Sequence, residues 1–157
     1  MRLGDARQSI RTLESDAYDI AIGDAFGGLA MPWHLTTTEF LAEVSRVLRP
    51  GGMYVANIID YPPLRFSRAE AATATSVFAH VALIAGRPTL AGESGGNLIL
   101  VASDAPPDGL AIEAALAAWQ DSEPTGVITD SDEVTSFIGD SVVLTDDFAP
   151  VDQLLGR

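Results

Sequence analysis

The sequence predicts an α/β fold: a mostly parallel sheet ending in a C-terminal antiparallel hairpin, with helices on both faces. Three observations predict it. Short apolar runs at Tyr18–Gly23, Met53–Ile59 and His80–Ala85 alternate with segments of helical spacing, the pattern of strands joined by crossover helices. A fourth run, Asn97–Ser103, follows after only the turn-rich stretch Arg87–Gly96, which holds no crossover helix and so predicts a hairpin. The chain has 157 residues, 47% of them hydrophobic, enough for one domain with a real core.

Taken in order, Leu3–Arg7 reads as the end of a strand whose body is missing, and Gln8–Leu13 as a short helix with Ile10 and Leu13 on one face. Tyr18–Gly23 reads as a strand buried on both faces. Asp24 follows at its carboxyl end, where open α/β sheets bind ligands, and is the first candidate for chemistry; a plain turn aspartate is the alternative. Ala25–Leu35 is a loop, loosened by Gly27 and Gly28 and broken by Pro32. Thr36 and Glu39 fit a capping box with Thr36 as N-cap, and Phe40, Leu41, Val44, Val47 and Leu48 keep helical spacing until Pro50-Gly51-Gly52 stops them.

After the Met53–Ile59 strand, Asp60 and Tyr61 stand at a carboxyl end as candidate substrate contacts, against a turn favoured by Pro62 and Pro63. Ser67–Phe78 reads as a helix with Ser67 as N-cap and Glu70 three residues on, and Leu110–Gln120 as another. Asp121–Asp140 is acidic, turn-rich and weakly periodic, and Ser141–Leu144 is a small candidate strand before Thr145–Arg157.

Composition narrows the function. The net charge is −13 and all nine basic residues are Arg, with no basic patch, which argues against a nucleic-acid surface. Such a surface attracts a cationic substrate such as a polyamine, or is simply solvated. There is no Cys, hence no disulfide and no thiol chemistry. No apolar run is long enough to span a membrane, and the first residues lack the apolar core of a signal peptide, so a cytoplasmic location is the default. No metal-spaced cluster is present. His34 and Trp33 lie in the loop after Asp24, as possible ligand contacts or as a surface histidine and a core cap. His80 heads an apolar strand and reads as structural. Asp146, Asp147 and Asp152 read as a solvated acidic terminus or a cation site. Ser9 and Ser45 have no His–Asp pattern that would make a nucleophile.

The segments LGDAR, YDIAIGDAF, LTTTEF, LRPGG, GGNLILVAS and LTDDFAPVD, in this order and over most of the chain, resemble the spermidine synthase family, the polyamine aminopropyltransferases. The resemblance implies an incomplete Rossmann-like sheet. It also implies decarboxylated S-adenosylmethionine or S-adenosylmethionine as co-substrate, a small-molecule amine as acceptor, and no metal. It places Asp5, with its neighbour Ala6, on the adenine amino group, where a carboxylate is the suitable acceptor. Asp24, with Ala25, matches the first Asp of the family's Asp-Ser-Ser-Asp loop, which takes a proton from the attacking amine. The family's second Asp of that loop is Gly27 here, and its Pro-Thr-Tyr segment reads Pro88-Thr89-Leu90.

The family's glycine-rich nucleotide loop and ribose-holding acid belong upstream of LGDAR. The expectation is therefore a single domain over residues 1–157, the C-terminal portion of the family fold without its cofactor-loop unit, from a late gene start or a genuine short relative. A short form is expected to cover its open sheet edge by forming a homodimer. The function read from the sequence is a truncated aminopropyl transferase domain. The alternatives are a non-catalytic dimerising relative, in which case the short form is no enzyme, and a methyltransferase of the same fold.

Overall fold

The computed structural model describes residues 4–26, 31–118 and 125–155. Five strands form one sheet in the order β1-β2-β4-β3-β5: β1 Tyr18–Gly23, β2 Leu48–Asp60, β3 His80–Gly86, β4 Gly96–Ser103 and β5 Thr125–Ile128. The α/β class and the β3–β4 hairpin stand. The pairing is corrected: only β1 and β2 are hydrogen-bonded in parallel, while β2–β4, β4–β3 and β3–β5 are antiparallel. The cause is the hairpin itself. β4 folds back from β3 and inserts between β2 and β3, so β1, β2 and β3 run the same way without β3 touching β2.

Between them lie α1 (Ala6–Ile10), a 3₁₀ turn (Trp33–Leu35), α2 (Thr38–Val47), α3 (Arg65–Thr75), α4 (Arg87–Leu90), α5 (Gly109–Ala118), α6 (Ser131–Ile138) and α7 (Val151–Leu154). Both β5 and α6 fall inside the stretch whose sequence reads as turns, and Ser141–Leu144 forms no strand. β2 begins at Leu48, so the Arg49–Gly52 turn lies inside it as an irregularity in the β1 register. A Cβ at Gly52 would stand 2.9 Å from the Arg49 carbonyl oxygen and 3.1 Å from that of Asp19, which is why this close approach takes glycine.

Strand alternation divides the sheet into unequal faces. Tyr54, Ala56 and Ile58 of β2, Leu98, Leu100 and Ala102 of β4, and Val81, Leu83 and Ala85 of β3 share one face and are all buried. Against them pack Phe40, Leu41, Val44 and Val47 of α2, Phe66 and the alanines of α3, and Val134 and Phe137 of α6. On the other face Met53, Val55, Ile59, Ile84, Ile99 and Val101 are exposed or half-buried, and α5 packs mainly on β5. The expected helical cover on both faces is thus realised fully on one. β1 is corrected too: it is an edge strand rather than one buried on both sides, and Ile22 is 75% exposed.

Residues far apart in sequence meet at the start of α2. Thr37, not Thr36, is its N-cap, accepting from the Phe40 amide at 3.3 Å. Thr36 instead closes the 3₁₀ turn, its hydroxyl donating to the Trp33 carbonyl at 2.7 Å. Arg7 donates to the Thr37 hydroxyl at 2.9 Å and to the His34 carbonyl at 2.6 Å, and its other terminal nitrogen pairs with Asp146. The Thr37 hydroxyl donates to Asp146 at 2.8 Å, and the Asp146 amide donates to Glu39 at 3.0 Å. Partial burial acts to raise the Asp146 carboxyl, but the Thr37 and Arg7 contacts outweigh it and hold it below its ordinary value.

The start of α3 is capped from outside. Leu64 turns the chain in a left-handed conformation, φ 61°. Asp60 is fully buried and accepts from the Tyr61 amide at 2.8 Å, the Ser67 amide at 2.9 Å and the Ser67 hydroxyl at 3.1 Å. Ser67 is therefore a donor to the cap rather than the cap. One turn on, Glu70 is completely buried and its Oε1 has no hydrogen-bond partner. Burial pushes its carboxyl well above the ordinary 4.5. Burial, and then Glu70, likewise push up the Tyr54 hydroxyl.

Two predictions follow from this packing. A carboxyl whose pKa is raised on folding stabilises the fold fully below its unfolded value near 4.5, and that contribution is lost as pH rises toward its folded value. The thermal midpoint of the protein should fall across that range more steeply than that of Glu70→Gln; parallel pH profiles would show that folding does not raise the Glu70 carboxyl. A Cβ at Gly23 would collide with the Tyr54 hydroxyl and stand 3.0 Å from its Cζ. Gly23→Ala should cost about 1–3 kcal/mol in denaturant unfolding, and Tyr54→Phe in the same chain should recover part of it.

Candidate active site

Asp24 is the first residue past β1, exposed, at the carboxyl end of the edge strand. One oxygen of its carboxylate accepts from the Asn57 side-chain amide at 3.0 Å, and the Asn57 carbonyl accepts from the Asn97 amide at 2.8 Å. Neither asparagine is conspicuous in the sequence. The signal lies in the parallel register, which sets Gly23 beside Ala56 and so Asp24 beside Asn57.

Along the β1 edge of the sheet runs an apolar groove of about 430 Å³. It is lined by Ala6, Ser9, Ile10 and Leu13, by Leu35, Phe40 and Val44, and by Ala21 to Ala25 with Tyr54 of the sheet. The structure therefore brings Ala6, Asp24 and Ala25 together. Asp5 stands at the head of α1, where its carboxylate caps the helix by accepting from the Gln8 amide at 2.9 Å; its second oxygen lies 3.7 Å from His34 Nε2. Leu35, Phe40 and Val44 face the groove because α2 turns its apolar stripe toward the sheet.

The other candidates scatter. Asp60 is corrected: it has no exposed surface, its Oδ1 accepts from the Tyr61 amide and its Oδ2 from Ser67 at the start of α3, so it does not face a substrate. Tyr61, next to it, is exposed and away from the groove. Trp33 is half-exposed in a second cleft of about 540 Å³ with Phe148, Asp147 and Asp152, and stacks edge-on to His34. His80 is exposed at the head of β3. Ser9 lines the groove and Ser45 lies on α2. Leu90 is half-buried on α4. Gly27 and Gly28 lie outside the described residues. Among the described residues no group of three or more His, Asp or Glu could hold a metal, and no helix is long and apolar enough to cross a membrane.

Comparison with known proteins adds sequence and fold. No family model matches the chain. Over 77 residues it is 42% identical to a polyamine aminopropyltransferase of Vibrio vulnificus (strain CMCP6), covering 48% of this chain and 25% of that one. The crystal structure of a "probable spermidine synthase" from Corynebacterium glutamicum ATCC 13032 superposes with a TM-score of 0.83 at 33% identity, over 96% of this chain and 55% of that one. The chain thus spans about a quarter of the curated relative and about half of the solved one. Shared sequence and shared fold agree with the motif order: the chain is similar to spermidine synthase-like proteins in both.

Proposed function

We propose that the chain is the C-terminal portion of an aminopropyl transferase domain, carrying the acceptor-activating carboxylate and one wall of the adenosyl groove. The observation that supports this reading most is the juxtaposition at the end of β1 of the apolar groove and Asp24. Adenine and the methylthio group are apolar enough for walls of Leu, Ile, Phe and Val. Asp5, the neighbour of groove-lining Ala6, is an acceptor for an exocyclic amine.

The chemistry needs little else from the protein. The acceptor amine reaches the site as an ammonium, with no lone pair. Asp24 holds it, then takes its proton as the lone pair attacks the aminopropyl carbon next to the sulfonium. That carbon–sulfur bond breaks, its electrons neutralise the sulfur, and methylthioadenosine leaves. The sulfonium is already a good leaving group, so orientation along the groove supplies much of the rate.

A second reading, a non-catalytic dimerising relative, draws on the open β1 edge and the exposed Ile20 and Ile22. The two readings share one expected assembly, a homodimer that covers this edge.

Three measurements test these proposals. Calorimetric titration with methylthioadenosine should give saturable binding; no heat at millimolar ligand would remove the enzyme reading for this chain. In an active preparation Asp24→Asn should lose about 100-fold or more in turnover while still binding methylthioadenosine, and unchanged turnover would refute the role of Asp24. Sedimentation at micromolar concentration should show a dimer that Ile22→Lys dissociates; a monomeric wild-type protein would count against the assembly.

A further inference from the structure

Asp24 is the end of a ladder. The next rung of the parallel β1–β2 register after Gly23 and Ala56 sets Asp24 beside Asn57, and the antiparallel β2–β4 register sets Ile59 beside Asn97. Alternation brings the three polar side chains to the same face of three adjacent strands. Their bonds run in one direction: the Asn97 Nδ2 donates to Asn57 Oδ1 at 2.8 Å, and the Asn57 Nδ2 donates to Asp24 Oδ1 at 3.0 Å.

An asparagine side chain has a donor end and an acceptor end. Turned over, Asn57 would set its carbonyl oxygen against the carboxylate. Asn97 selects the working orientation, because its donor meets the Asn57 carbonyl and leaves the Asn57 amide facing Asp24. We propose that Asn57 and Asn97 are positioning residues for Asp24: Asn97 orients Asn57, and Asn57 holds one carboxylate oxygen while the other remains for an ammonium.

The choice of amides matters. A neutral donor fixes a carboxylate without cancelling its charge, whereas an arginine would do both. Among the described residues no ion pair involves Asp24, so its charge stays available to a cationic amine. Val55 and Ile59, the same-face neighbours of Asn57 along β2, flank the ladder with apolar side chains. This inference rests on the reading of Asp24 as the amine-holding group.

The test compares Asn97→Leu and Asn57→Leu, which keep side-chain volume and remove the donors. Side-chain amide NMR reports Asn57, and titration with putrescine, as a diammonium probe, reports Asp24. Asn97→Leu should move the Asn57 amide protons and weaken putrescine about 3-fold. Asn57→Leu should weaken it about 10-fold, the scale of one net hydrogen bond to a charged group. Neither should lower the thermal midpoint, which a merely structural role would lower. Asn57 protons unmoved in both Asn97→Leu and Asp24→Asn, or putrescine affinity unchanged in Asn57→Leu, would overturn the proposal. If the wild-type protein fails to bind putrescine while the Asn57 protons still respond, the amine role of Asp24 falls and the ladder stands.

Discussion

The contact of Arg7 with Thr37 and Asp146 is the constraint on which the groove depends. It joins three segments that are remote in sequence: the first turn of α1, the cap of α2 and the tail after α6. The Thr37 hydroxyl accepts from Arg7 and from the Phe40 amide while donating to Asp146, so one side chain starts the helix and ties down both flanks. The Leu144 carbonyl, accepting from the Thr38 amide at 2.9 Å, adds a backbone bond to the same junction. With α1 thus anchored to α2, Ile10 and Leu13 line the same groove as Phe40 and Val44. Most of the neighbouring core would pack without this junction, but the groove would lose the wall that α1 supplies.

The second organising fact is the inequality of the sheet faces. One is sealed by α2, α3 and α6; the other presents isoleucine and valine to solvent on β1, β2 and β4. Natural sheets rarely leave such a face and such an edge bare, because both invite association. Here the edge carries one charged counterweight, the exposed ion pair between Asp19 and Arg49 at 2.7 Å. The polar ladder from Asn97 to Asp24 interrupts the apolar face at the carboxyl ends of β1 and β2, so the chemically interesting carboxylate stands at its margin.

Much of this was legible in the residues. The strand at Tyr18–Gly23, the α2 stripe and the β3–β4 hairpin follow from periodicity and turn residues. Asp24 follows from its place after a strand. What periodicity missed has physical causes. β5 is four residues long, with all four half-buried, and so shows no alternation. The α2 cap is displaced from Thr36 to Thr37 because neighbouring threonines offer the same hydroxyl, and only the tertiary partners Arg7 and Asp146 choose between them. Asp60 has the position of a ligand contact and the burial of a cap, a difference set by Ser67 seven residues later. Asn57 and Asn97 acquire meaning only when the register brings them beside Asp24.

The insertion of β4 has a consequence for the order of assembly. β2 and β3 are never bonded to each other; their facing edges are both paired by β4. During synthesis the strands up to β3 therefore emerge with their inner backbone groups unpaired, and the two halves of the sheet close only after Ser103 has left the ribosome. At about 5–20 residues per second, the stretch from Asp60 to Ser103 takes seconds. Over that time α2 and α3 have their apolar faces ready but no finished sheet to cover, so the nascent chain depends on helix contacts until one late strand joins its halves.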